Sequence, residues 1–343
     1  MNYLFPVLLI IFIISTFQIS KVQSTSLNMA NWMSNLPDDK KIILTNIPGS
    51  HDSAAYNMNI FWSILAKCQD LNIMEQLKIG VRKLDIRVAR NNCTFSCGLS
   101  QIVTDNDLDV ICCHGICDCY YINDAGVKKN LAYKDVLLDI KEFLQDNPTE
   151  TIILTVDSGR GRGNPYNNVK RAAEIFDKLV GDISINFNKN LTMGDVRGKI
   201  INVNYKTNQL SYDGKPIFNS DIEGGTGLGE IHKKFVPEFT YETFKVDGKL
   251  KVREIEEFLK IYDLTFEQAE EEFKINSMKY PFLYSLSCTG EYESIAPFPK
   301  TQADIVNPFL LNYDLQKGNY YGWLNIDFID ADVAKKIIDT NFI

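Results

Sequence analysis

The chain has 343 residues, with 36 Lys and Arg against 44 Asp and Glu, and a net charge of −8 at pH 7. A surface that acidic argues against nucleic acid and against electrostatic docking on anionic lipid, with a local patch left open. The length is large for a single sandwich and ordinary for an α/β barrel, so one domain is expected.

Leu4 to Gln18 are mostly Leu, Ile, Phe and Val, followed by Lys21 and the small-residue site Val22-Gln23-Ser24. The run falls short of the roughly 20 apolar residues of a spanning helix, so residues 1–24 read as a cleaved signal peptide and 25–343 as the mature domain. A basic segment ahead of the run is missing, which leaves an uncleaved anchor as the alternative. Cleavage removes one Lys and no acid, so −8 becomes −9.

Strand-like runs recur at 41–47, 82–88, 108–113, 151–157, 199–205, 281–287 and 322–328. Between several of them lie helix-period stretches. Val136, Leu137, Ile140, Phe143 and Leu144 share one helical face that Asn147-Pro148 stops; Val252, Ile255, Phe258, Leu259 and Tyr262 repeat the pattern. Val333, Ile337 and Ile338 follow a cap at Asp330 or Asp332. Strands alternating with helices imply a mainly parallel sheet with helices outside, hence a single-domain α/β fold of the TIM-type (β/α) barrel class, irregular in detail. Residues 91–107 read as an insertion, and 157–168 and 207–234 as rim loops. His232, in the second of these, reads as surface.

Eight cysteines (Cys68, Cys93, Cys97, Cys112, Cys113, Cys117, Cys119 and Cys288) in a chain read as secreted favour disulfides, with the pairing open. Zinc held by the 93–119 cluster is the alternative, weakened by spacing that fits no CxxC…CxxC pattern. Asn92-Cys93-Thr94 and Asn190-Leu191-Thr192 are glycosylation sequons, in keeping with a secretory route.

The chemistry concentrates around two of the three histidines. Ile47-Pro48-Gly49-Ser50-His51-Asp52-Ser53 follows the apolar run Ile42-Ile43-Leu44, and Val110-Ile111-Cys112-Cys113 ends in His114-Gly115. Each puts an imidazole at the C-terminal rim of a strand, where barrel enzymes keep their reactive groups. In Val81-Arg82-Lys83-Leu84-Asp85-Ile86-Arg87 the two-residue alternation sends Asp85 and Arg87 to one face. Two imidazoles, an arginine and carboxylates make a set suited to cleaving a phosphodiester without metal.

In this setting the chain resembles the phosphatidylinositol-specific phospholipases C (X-domain) of the small, secreted, single-domain bacterial type. The resemblance runs from Asn31-Trp32-Met33 and Leu36-Pro37-Asp38-Asp39 through Ile47 to Ser53, Asp85-Ile86-Arg87 and His114-Gly115. It continues at Phe143-Leu144, Asp146 to Ile153 and Arg197-Gly198-Lys199-Ile200, and closes at Gly322-Trp323 and Asp327-Phe328-Ile329. It implies cleavage between diacylglycerol and phosphoinositol, with the inositol 2-hydroxyl as internal nucleophile and inositol 1,2-cyclic phosphate as product. It implies His51 as general base, oriented by Asp327, and His114 as general acid, supported by Asp52. Arg87 would stabilise charge on the phosphate oxygens where calcium-dependent relatives use a metal, so no cofactor and no metal are implied. An unperturbed imidazole titrates near about pH 6.5, so a neutral and a protonated histidine can coexist near neutrality.

Departures fall on the inositol side. The position of a family lysine is Asp157, that of a sugar-binding arginine is Tyr205, and an aspartate and stacking tyrosine fall at Glu242 and Phe244. Together with Asp85 these five form the expected substrate-binding set. The expected partner is a phosphoinositide-type lipid at a membrane surface, met by an extracellular monomer; Tyr120, Tyr121, Phe235 and Tyr241 are candidate membrane contacts. Two alternatives stand beside this: a metal-dependent glycerophosphodiester phosphodiesterase, and a catalytically silent inositol-phosphate or glycan binder.

Overall fold

The structure, a computed structural model, describes residues 27–91, 107–123, 125–159, 164–188, 190–203 and 298–343, together with short stretches between 211 and 287. Its centre is a sheet of nine strands: β1 Ile47–Ser50, β2 Lys83–Arg90, β3 Val110–His114, β4 Cys117–Asp118, β5 Ile152–Ser158, β6 Ser184–Asn186, β7 Ile200–Val203, β8 Ser285–Ser287 and β9 Trp323–Ile326. The path runs β8-β9-β1-β2-β5-β7-β6, parallel at every step, with β3 antiparallel to β2 and β4 antiparallel to β3. Among the described residues β6 and β8 stay end strands, so the barrel is irregular and not closed by strand pairing.

Helices cover this sheet, as buried parallel strands require. They include α1 Ile60–Ala66, α2 Ile73–Lys78, α3 Tyr133–Asp146 and α4 Pro165–Val180. The periodic stripe on α3 is the face that is buried, and the backbone N–H of Asn147 caps Phe143 where Pro148 forbids another turn. Asn72 and Glu75 form a reciprocal capping box on α2, and Asn164 caps α4 with Pro165 in the first turn. In the C-terminal helix Ala331–Asp339 the Asp330 side chain accepts from Val333 N at 2.9 Å, which settles the cap on Asp330. Residues 252, 255, 256, 259 and 260 are helical, with Ile255 and Leu259 buried.

The expected strand at 41–47 is displaced. Ile42–Leu44 is a single 3-10 turn, and the strand is Ile47–Ser50, so Pro48 and Gly49 lie inside it. β1 faces β9 along all four residues but meets β2 only from Gly49 onward, so the missing N–H of Pro48 falls where the ladder needs little. A Cβ on Gly49 would meet Asn325 Oδ1 at 2.7 Å and Lys83 Cβ at 3.1 Å; only glycine lets the strands close here. β6 is an additional short strand, and the expected loop 157–168 is cut short because Pro165 begins α4. The insertion from 92 to 106, the loop 207–234 except for four paired residues, and the segment 1–26 lie outside the described residues.

Candidate active site

Register assembles the site. Ser50 lies opposite Ile326 in the parallel pair of β1 and β9, so the next residues, His51 and Asp327, emerge side by side. Their side chains meet with Nδ1 of His51 2.9 Å from Asp327 Oδ1. Asp52 and Phe328, one step on, both have positive φ, 41° and 50°. For Phe328 that is a strained conformation, held by its N–H to Cys68 O at 2.6 Å and by Asn307 Nδ2 on its carbonyl at 3.0 Å.

On β2, Lys83, Asp85 and Arg87 share the interior face by alternation. Arg87 Nε stands 2.7 Å from Asp52 Oδ1, and its other arm reaches His51 Nε2 at 2.8 Å and Asp85 Oδ2 at 3.7 Å. Where β1 ends, β3 takes over the same edge of β2, pairing at Val88 to Arg90 and running back toward the site. That reversal delivers His114. Its Nδ1 lies 2.6 Å from Ala66 O, which can only accept, so Nδ1 carries a proton and Nε2 is left facing Asp52 Oδ2 at 3.3 Å. The two imidazoles stand edge to face, centroids 6.4 Å apart.

Burial opposes a charge on His51, yet Asp327 and Asp52 outweigh it and raise its pKa to about 9, with Arg87 pulling the other way. An arginine cannot accept, so the 2.8 Å contact makes Nε2 a lone pair and places the proton on Nδ1 toward Asp327. Protonation at Nε2 and the Arg87 contact exclude each other. Burial also works against ionised Asp85, but Arg87, His51 and Lys83 hold its pKa below the usual carboxylate range. The arrangement can take a proton at one imidazole, give one at the other, and hold an anion between them with Arg87.

The structure thus brings together His51, Asp52, Asp85, Arg87, His114 and Asp327. Asp157, next to last on β5 and in register with Arg87, is half-buried and accepts from Ser158 N at 2.7 Å. Tyr205, Glu242 and Phe244 lie outside the described residues. Three supporting residues carry no sequence signal of their own or one passed over. Gln69 Nε2 donates to His51 O and Ile326 O, both at 2.8 Å, tying the ends of β1 and β9 together. Buried Lys83 donates to Asn325 Oδ1 at 2.6 Å beneath the site, and belongs to the alternation already read for Asp85 and Arg87. Cys68 Sγ lies 3.6 Å from His114 Nδ1, its thiol pushed well above its ordinary pKa by burial.

Cys68, Cys112 and Cys119 are buried free thiols, so the expected disulfide staples do not reach them; Cys93, Cys97 and Cys288 lie outside the described residues. Among the described residues the groups able to hold a metal gather on Cys68 and the site's own His and Asp side chains, and none uses Cys112, Cys113, Cys117 or Cys119. No helix among them is long and apolar enough to cross a membrane.

Fold and site together define an α/β-barrel enzyme class whose ionisable groups gather at the C-terminal ends of the strands. Within that class the chain resembles the phosphatidylinositol-specific phospholipases C: residues 45–206 match the family model described as "Phosphatidylinositol-specific phospholipase C, X domain". It is 24% identical over 331 residues to a 1-phosphatidylinositol phosphodiesterase of Listeria monocytogenes, covering 94% of this chain and 88% of that protein. It is 25% identical over 344 residues to one of Staphylococcus aureus, covering 93% and 96%. The solved Listeria monocytogenes phosphatidylinositol-specific phospholipase C superposes with a TM-score of 0.57 at 22% identity, covering 92% of this chain and 100% of that one. A Staphylococcus aureus structure, from work on the modulation of its membrane binding, gives 0.61 at 21%, covering 92% and 98%. These structures share the fold.

Proposed function

We propose that the chain is a secreted, monomeric phosphatidylinositol-specific phospholipase C whose single barrel domain spans 25–343. It cleaves phosphatidylinositol or its glycosylated form to diacylglycerol and inositol 1,2-cyclic phosphate without metal. The observation that carries this is the convergence of His51 Nε2 and His114 Nε2 on Asp52 Oδ2, at 3.6 and 3.3 Å, with Arg87 joined to Asp52 Oδ1 at 2.7 Å and to His51 Nε2 at 2.8 Å.

In the reaction the inositol 2-hydroxyl attacks phosphorus and its proton passes to His51 Nε2, which gives up Arg87 as it does so. Arg87, released, turns its two-pronged cation to the non-bridging oxygens. The bond from phosphorus to the glycerol oxygen breaks, and that oxygen takes the Nε2 proton of His114. Asp327 stabilises the imidazolium formed at His51; Asp52 stabilises the one consumed at His114 and keeps Arg87 in place. Asp85 is the second carboxylate beside Arg87. By the resemblance, Asp157, Tyr205, Glu242 and Phe244 are assigned to head-group recognition, and a carboxylate at 157 favours an ammonium on the inositol over a ring phosphate.

Support for the membrane-surface substrate comes from the curated relatives' names and from the membrane binding of the Staphylococcus aureus protein. Support for secretion comes from the apolar run at 4–18. The test is incubation of the purified protein with phosphatidylinositol in excess chelator. Inositol 1,2-cyclic phosphate and diacylglycerol are expected; absence of both, or turnover only after calcium is restored, overturns the proposal.

A further inference from the structure

Six large apolar side chains are exposed among the described residues, and four of them belong to two neighbouring segments: Ile64 at 65%, Ile116 at 50%, Ile122 at 62% and Val127 at 50%. The remaining two are Leu138 on α3 and Ile343 at the end of the chain. Ile64 sits on α1. The other three sit on the excursion that follows His114, in which Tyr120–Ile122 and Lys128–Asn130 pair as an antiparallel hairpin. The two segments are joined directly, Tyr120 N donating to Asn57 O at 2.8 Å and Lys128 Nζ to Met58 O at 2.9 Å, just ahead of α1.

Both segments of this patch adjoin the candidate acid. The carbonyl of Ala66, the last residue of α1, accepts from His114 Nδ1 at 2.6 Å, and Ile116 lies two residues beyond His114 in the turn between β3 and β4. Ile122 stands opposite Lys128 across the hairpin, and Lys128 lies 4.2 Å over the Tyr120 ring, with exposed Lys129 beside it. Four of the six exposed large apolar side chains among the described residues gather here, in a segment whose two lysines balance Asp118 and Asp124 on a chain of net charge −8. A monomer has no internal use for such a cluster. Tyr120 and Tyr121 are only partly exposed and support the hairpin; Ile122 and Val127 are its outward residues.

We propose that the hairpin 120–130, with Ile116 and Ile64, is a docking surface for a lipid bilayer that seats the His114 side of the site against the membrane. The proposal rests on the phospholipase reading above. The occupant follows from the chemistry: apolar tips enter the acyl boundary while Lys128 and Lys129 meet anionic head groups, and the surface is continuous with the site that receives a lipid.

The full chain is tested for binding to phosphatidylcholine vesicles, with and without phosphatidylserine and free of phosphatidylinositol, so that catalysis is not read. Changing Ile122→Ser and Val127→Ser together should weaken partitioning by about tenfold on both vesicle types. Lys129→Glu should weaken it by about fivefold, on the serine-containing vesicles alone. Hydrolysis of water-soluble glycerophosphoinositol should stay within about twofold of the unaltered protein in both variants, because no reacting group has been touched. Unchanged vesicle binding in the double variant overturns the docking surface while leaving the phospholipase reading intact. Absence of glycerophosphoinositol turnover in the unaltered protein overturns that reading instead. A dimer in sedimentation that the double variant dissociates would make the patch an interface between copies, which also overturns the proposal.

Discussion

Two arginines five positions apart, one just ahead of β2 and one well along it, have opposite surroundings. Arg82 is wholly buried at the foot of the strand, where Nε meets Glu150 Oε2 at 2.9 Å and its remaining donors reach the carbonyls of Leu77, Val81, Met29 and Ala30. Glu150 also accepts from Met33 N, so the pair ties the chain's beginning to β2 and to the entry of β5. Every donor is engaged and nothing can be exchanged. Arg87, at the upper end, keeps 22% of its side chain exposed and spends one arm on a histidine that a substrate proton can claim. A saturated arginine holds a fold together; one with an exchangeable partner can serve a ligand.

That contrast can be broken by substitution, and the largest effects belong to the upper end. His51→Ala and His114→Ala should each lower kcat by about 10²–10⁴-fold with the melting temperature little changed; near-normal turnover in either variant removes it from the reaction. Arg87→Lys should cost about 10²-fold or more in kcat, since an ammonium cannot span two phosphate oxygens, and chelator should not deepen the loss. Arg82→Ala is the opposite case. It strands Glu150 in the interior and should cost about 3–5 kcal/mol in denaturant unfolding, with any surviving folded protein retaining its kcat. If Arg82→Ala were stable and inactive, the division between the two arginines would fail.

Smaller effects sharpen the picture. The pKa of His51 is raised, so its base form grows as pH climbs toward about 9, and kcat/KM should rise with pH over that range. Asp327→Asn removes the strongest charge holding the proton; the acidic limb of the profile should move to lower pH while the plateau falls. An unmoved limb would mean that His51 does not set it. Smallest is the head-group effect. Asp157→Lys should change the ratio of kcat/KM for glucosaminyl-phosphatidylinositol over phosphatidylinositol by about fivefold, in favour of the plain lipid, as expected of one partly exposed ion pair worth about 1 kcal/mol.

What the sequence discloses follows from the range of each interaction. The α3 stripe and its stop at Asn147-Pro148 are local, and both stand in the fold. The common face of Asp85 and Arg87 follows from strand alternation, and Lys83 obeys the same rule. His51 and Asp327 are 276 positions apart, so their 2.9 Å contact comes from the register of β1 against β9, which no local pattern encodes; only resemblance pointed to it. Pro-Gly at 48–49 reads as the end of a strand, yet lies within one, because only tertiary contact shows that Gly49 packs where a Cβ would strike Asn325. Gln69 and Cys68 sit in a connection with no periodicity, and their place at the site becomes visible only when β1 and β9 meet.

The division of labour between the two histidines is tested most directly by changing the leaving group. An aryl ester of inositol phosphate expels a phenolate that needs little help from an acid, whereas glycerol must be protonated to leave. His114→Ala should therefore lose about 10²–10⁴-fold on phosphatidylinositol but no more than about tenfold on the aryl ester, while His51→Ala loses equally on both. Equal losses for His114→Ala on the two substrates, or rescue of His51→Ala instead, would contradict the assignment.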